Sequence, residues 1–173
     1  MNQDAFTEIM ESQDARLIVV TTAADPERAG CLVGFHAQSS IDPARYNVWL
    51  SKANHTYRVA LRATHLGVHF LTSDDLPLAE RFGTLTGDDT DKFAGLDVRS
   101  EQGVPVLEQC PHRLLLRRTA LLDEGGDHVC IAAEVIAAES SGRFEPLRLS
   151  HAAHLVPGHS TEERPAPPTE RAG

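Results

Sequence analysis

A small β-barrel carrying a few short helices is the fold this sequence predicts, and three features point to it. About six runs of β-branched and apolar residues, each short and closed by a turn signal, make up most of the body. Only two brief stretches between them carry helical spacing. Strand and helix runs do not alternate, which argues against a parallel sheet with crossover helices. At 173 residues and 41% hydrophobic composition the chain suits one domain whose core needs no metal or disulfide to support it.

The elements follow in order. Residues 1–13 hold Ala5, Phe6, Ile9 and Met10 at helical spacing, predicting a short amphipathic helix lying against the body. Residues 14–156 form the domain. Within it, residues 16–22 (RLIVVTT) are a β-branched run ending at the turn pair Asp25-Pro26, and apolar character resumes from Cys31 to make a hairpin. Residues 46–51 alternate, with Tyr46, Val48 and Leu50 on one face and Asn47, Trp49 and Ser51 on the other. Further strands are expected at residues 66–72, 113–122, 129–137 and 147–155. A short helix is expected over residues 56–63, capped by Asn54. A second runs from Asp74-Asp75, whose carboxylates are expected to cap it, to a stop at Gly83. Residues 157–173 are rich in proline and charge with almost no large apolar side chain, and predict a disordered tail.

Charge and composition exclude several functions. With 25 Asp+Glu against 16 Lys+Arg the net charge is -9, and no basic run offers itself to phosphate backbones, so nucleic acid is not an expected partner. No apolar stretch is long enough to span a membrane, and the acidic start lacks the basic head of a signal peptide. Three cysteines, Cys31, Cys110 and Cys130, form no CxxC pair and fit reduced thiols, so a soluble cytoplasmic protein is expected. Nine histidines invite a metal reading, yet only His65 with His69 and Cys110 with His112 have ligand-like spacing, and no metal site is expected.

Two segments are candidates for chemistry. Residues 50–56 end a strand, supply Lys52 and begin a capped helix, with Ser51, Asn54, His55 and Thr56 offering further donors; the grouping suits an anion, or is ordinary capping beside an exposed lysine. Upstream, Gly34, Phe35, His36, Ala37, Gln38, Ser39 and Ser40 are poor strand material but present amides and side-chain donors to a flat polar ligand, or form a bulged strand before the Asp42-Pro43 turn.

These motifs, taken in order, resemble the flavin reductases of the FMN-binding split-barrel family. The resemblance rests on Val19-Val20-Thr21-Thr22, Gly30, Ser40-Ile41-Asp42-Pro43, the strand after it, Lys52 and Thr56. It continues through Leu78-Ala79-Glu80-Arg81-Phe82, Asp91-Lys92-Phe93-Ala94-Gly95, Gly103-Val104-Pro105-Val106-Leu107 and Gly126-Asp127-His128. It implies a Greek-key split barrel, paired as a homodimer, that binds FMN or FAD and reduces it with NADH or NADPH, in some members for a separate monooxygenase. It places the flavin ring on residues 34–40, the phosphate and ribityl chain on Lys52, Asn54, His55 and Thr56, and the nicotinamide beside His128, whose neutral imidazole is expected to donate to the carboxamide or the reduced flavin and to exchange a proton. His128 equally reads as the first residue after a hairpin turn. Leu32, Gly34, Gln38 and Ala53 stand where relatives carry hydroxyl residues, which shifts binding onto backbone amides and the remaining side chains. A noncatalytic flavin- or haem-binding split barrel is the alternative.

Overall fold

The computed structural model describes residues 1–155, so the expected tail at residues 157–173 lies outside the described residues. Helix α1 (Gln3–Ser12) leads into strands β1 (Ile18–Ala24), β2 (Glu27–Val33), β3 (His36–Ser40) and β4 (Arg45–Ser51). Then come α2 (His55–Ala60), β5 (His65–Phe70), a single 3-10 turn and α3 (Leu76–Thr84). The short hairpin β6 (Val98–Glu101) and β7 (Val104–Leu107) precedes the long hairpin β8 (Arg113–Leu122) and β9 (His128–Glu139). Seven strands make one antiparallel sheet in the order β2-β1-β5-β8-β9-β4-β3, and β6 and β7 form a separate pair. The sheet curls so that β2 and β4 approach each other, the split barrel expected.

The run of β-branched residues in β1 is explained by burial on both faces. Ile18 and Val20 point into the barrel with Val48, Leu50, Leu66, Val68, Leu116 and Ile131. Leu17 and Val19 point outward into a second core formed by Leu71, Leu78, Phe82, Phe93, Leu107 and Leu147. The alternation read in β4 holds: Val48 and Leu50 join the barrel core, with Tyr46 packed against it. At Gly30 in β2 a Cβ would sit 2.7 Å from a Phe82 ring carbon, so the absence of a side chain lets α3 press onto the strand.

Four local expectations differ from the structure. Helix α1 is capped by Asn2, but it has no buried residue, and Phe6, Ile9 and Met10 are exposed rather than packed on the body. Residues 36–40, read first as poor strand material open to a ligand and alternatively as a bulged strand, take the second form: edge strand β3 pairs with β4, with a register shift between Gln38 and Ser40. Residues 147–155 are not a strand; after isolated bridges at Pro146 and Arg148 they wind into a 3-10 turn at Leu149–Ala152. Asp75 does not cap the first free amides of α3; its carboxylate reaches back to the amide (2.7 Å) and hydroxyl (2.8 Å) of Thr72, and Gly83 lies inside α3 rather than ending it.

His69 ties the two sheets together. Its Nε2 accepts a hydrogen bond from the Leu107 amide at 3.1 Å and Nδ1 faces the Val19 carbonyl at 3.3 Å, a neutral ring satisfied on both sides. Burial pushes its pKa down to about 4, from 6.5. The unfolded chain therefore binds a proton that the folded chain refuses, and stability declines as pH falls from 6.5 towards 4. Urea midpoints measured across this window should fall in the wild type and fall less steeply in His69→Gln. At neutral pH His69→Ala should cost about 1–3 kcal/mol by stranding the buried Leu107 amide.

Candidate functional site

Where β2 crosses to β3, a cleft of about 400 Å³ opens beside the end of β4. Its volume lies in the range of small-molecule sites, roughly 300–1,000 Å³. The lining includes the crossover, Leu32 to Phe35, and beside it Trp49 and Ser51 at the end of β4, the Trp49 amide donating to the Phe35 carbonyl at 2.9 Å. Phe82 and Leu85 close one side, and the chain after β9 supplies Leu149, Ala152 and Leu155, three residues apart and so on one side of a 3-10 path. The walls are mostly apolar. Polar groups enter at few points: Ser51, Asn54, Lys92, Asp127 and His128.

Each of these is held by its neighbours. Asn54 caps α2, its side-chain oxygen accepting the Thr56 amide at 3.0 Å. Lys92 is almost fully buried, and its ammonium donates to the carbonyls of Gly30 at 3.1 Å and Phe82 at 3.0 Å. Burial lowers its pKa, while neighbouring Cys31 and Asp88 act in the opposite direction. The β4–β9 register sets His128 across from Ser51, and the His128 ring contacts the ring of Phe35 at 5.1 Å between centroids. Burial also raises the Cys31 thiol, which stays protonated on the cleft wall.

The structure gathers part of the expected site. Gly34, Phe35, Asn54 and His128 line the cleft together. His36 turns away: Nδ1 meets the Tyr46 hydroxyl at 2.6 Å and Nε2 the Arg16 carbonyl at 2.9 Å. Ala37, Gln38, Ser39 and Ser40 lie along the edge strand outside the cleft lining, Gln38 donating to the Ser40 carbonyl and Ser39 to Asn47. Thr56 is buried and bonds the Cys31 thiol. His55 faces a second, more open cavity of about 510 Å³, where it meets Asp88 at 3.0 Å. Lys52 pairs with Asp123 at 2.9 Å, and its amide donates to the Asp127 carbonyl at 2.9 Å, so it braces the β8–β9 turn. The helix that was to hold an anion is six residues long, so its dipole contributes little.

Lys92 and the trio Leu149, Ala152 and Leu155 were not singled out from the sequence as site residues. The trio's spacing of three was a readable signal; the burial of Lys92 was not. Among the described residues no three His, Cys, Asp or Glu side chains gather to hold a metal ion, and no helix is long and apolar enough to cross a membrane.

Comparison with known proteins agrees with this architecture. The family model described as flavin reductase like domain matches residues 10–154, and the chain belongs to that family. It is 34% identical over 123 residues to the FMN reductase (NADH) SmoA of Agrobacterium fabrum, covering 70% of this chain and 68% of that protein. It is 31% identical over 130 residues to the stachydrine N-demethylase reductase subunit Stc3 of Rhizobium meliloti, covering 72% of this chain and 54% of that one. The crystal structure of nitrilotriacetate monooxygenase component B from Mycobacterium thermoresistibile shares the fold, with a TM-score of 0.73 at 23% identity over 85% of this chain and 82% of that one.

The sequence holds one tryptophan, and it lines the cleft. Flavin entering the cleft should quench Trp49 emission in a saturable titration, whereas emission unchanged at saturating flavin would place the ligand elsewhere.

Proposed function

We propose that the protein is a flavin reductase that binds FMN in the cleft and reduces it with NADH, with FAD and NADPH as the alternative flavin and donor. The observation that carries this reading is the meeting of Gly34, Trp49, Asn54 and His128 around one apolar cleft in a chain of this family. The residues fit the group: apolar walls suit a planar ring system, and a Cβ at Gly34 would only reach ordinary contact, 3.8 Å from Leu17. Sparse polar groups at the cleft can orient the ring's edge. The balanced reaction is NADH plus a proton plus FMN giving NAD⁺ and FMNH₂. Bound flavin supplies the hydride-accepting ring.

The chain's own work is binding and orientation. Ser51, Asn54 and the backbone at Gly34 and Phe35 would meet the ring and ribityl chain, and Lys92 adds a buried positive charge to a wall where anionic flavin gathers. Lys52 is proposed as the phosphate partner. Its ammonium now faces the half-exposed Asp123 carboxylate, and a phosphate dianion is the stronger competitor for it. His128, contacting Phe35 beside the cleft, is proposed for the nicotinamide. His55 and Thr56 would act from behind by fixing α2, and residues 36–40 by holding the crossover, rather than by touching flavin.

A homodimer is proposed because exposed apolar residues lie on elements that the other described residues leave uncovered: Phe6, Ile9 and Met10 on α1, Phe35 at the crossover and Ile41 beyond the edge strand β3. The relative named as a demethylase reductase subunit supports a separate monooxygenase as the consumer of reduced flavin. The cytoplasm is the proposed compartment, consistent with three buried free cysteines.

Purified protein given FMN and NADH should consume NADH steadily; a yellow protein that ignores NADH, or a haem absorption band, contradicts the reading. Lys52→Glu should weaken FMN binding about tenfold or more and leave riboflavin, which lacks the phosphate, nearly unaffected. Equal losses for both ligands would remove Lys52 from the phosphate site.

A further inference from the structure

Asp127 and His128 are neighbours where β9 begins beside the cleft. Asp127 Oδ1 lies 2.8 Å from His128 Nδ1. An ionised carboxylate only accepts, so the proton in this contact belongs to Nδ1. A neutral imidazole has one N–H, and Nε2 is then left with a lone pair. The pair is fixed from three sides: the Asp127 carbonyl accepts the Lys52 amide, His128 is in register with Ser51, and Phe35 packs on the imidazole. The charged groups around it are Lys52 from the end of β4, and Asp123 and Glu124 from the turn before β9; Lys52 is itself bound to Asp123. Contact with His128 also holds the Asp127 carboxyl below its usual range, keeping it ionised at neutral pH.

We propose that Asp127 is a positioning residue that locks His128 in the Nδ1-protonated tautomer, so that Nε2 accepts a hydrogen bond from the carboxamide NH₂ of the reduced nicotinamide. The nature of the ligand rests on the flavin reductase reading; the tautomer does not. The proposal reverses one expectation from the sequence, in which the neutral imidazole was to donate to the carboxamide: its single N–H is engaged by Asp127, and the neutral ring can only accept. It also sets a selectivity. A donor nucleotide with a primary amide satisfies Nε2, and one carrying a methyl ketone at that position does not.

Long-range proton–nitrogen correlation spectra, recorded above about pH 8 where an ordinary histidine is neutral, test the lock directly. The wild type should show His128 protonated on Nδ1, and Asp127→Ala should shift it towards the Nε2-protonated form that free histidine prefers. Asp127→Asn should retain the wild-type tautomer, because its amide oxygen still accepts from Nδ1. In steady-state assays Asp127→Ala should raise KM for NADH about fivefold, with kcat within about twofold and FMN quenching of Trp49 unchanged. Asp127→Asn should restore most of that loss. With reduced acetylpyridine adenine dinucleotide, which has no amide N–H and only a ketone oxygen to accept, Asp127→Ala should not raise KM above that of the wild type. A wild-type His128 protonated on Nε2 overturns the proposal, and an unchanged KM for NADH in Asp127→Ala overturns the carboxamide contact. If the wild type fails to oxidise NADH with FMN, the reductase reading falls, and the spectrum still decides whether Asp127 sets the tautomer.

Discussion

The ammonium of Lys92 is the contact on which the cleft's geometry turns. It sits almost fully buried between β2 and α3 and donates to a carbonyl of each, Gly30 and Phe82. A buried cation without partners costs several kcal/mol, so the position is tolerable only while both carbonyls face it. The same approach is enforced sterically at Gly30, where the Phe82 ring occupies the space a side chain would need. Removing the ammonium would free α3 to move off β2, and Phe82 and Leu85 would no longer close the side of the cleft. The residue that clamps α3 to β2 also lines the cleft.

An acidic chain that handles anionic nucleotides must arrange its positive charge locally, since its overall field repels them. Two lysines meet that need in the proposed site: Lys92 in the cleft lining, and Lys52 at the base of the β8–β9 turn. Several other cations among the described residues are committed to carboxylates. Arg28 meets Asp91, Arg58 meets Asp88, and Arg113 and Arg99 share Glu139. Lys52 also links the proposed phosphate position to the strand that carries His128, through its amide and its ion pair.

Much of the barrel was legible because its strands are long enough to show a period. Tyr46, Val48 and Leu50 alternate with Trp49 over seven residues of β4, and β8 was bounded correctly at residues 113–122 although Arg117 and Arg118 interrupt its apolar residues. The Asn54 cap followed from residue type alone. Strands β6 and β7 offer four residues each, one of them reading VRSE, too short for alternation to stand out. Strand β3 was only one of two readings because an edge strand of exposed, mostly polar residues carries little hydrophobic signal. Residues 147–155 looked like a strand because they are apolar, but Leu149, Ala152 and Leu155 follow a spacing of three, and Asp14 pins the turn by accepting from the amide and hydroxyl of Ser150. His36 left the expected site because the period-two geometry of β3 turns it inward to Tyr46. That choice depends on strand pairing, which local sequence does not encode.

The central claim is that the flavin ring lies between the Gly34 crossover, Trp49 and His128. A crystal structure of the protein grown with FMN tests it most directly. The account predicts density for the isoalloxazine in that cleft, with the phosphate on Lys52 and Asp123 displaced from it. A ring bound in the outer cavity near His55 and Asp88, or on the exposed face of β3, with the cleft empty, would contradict it.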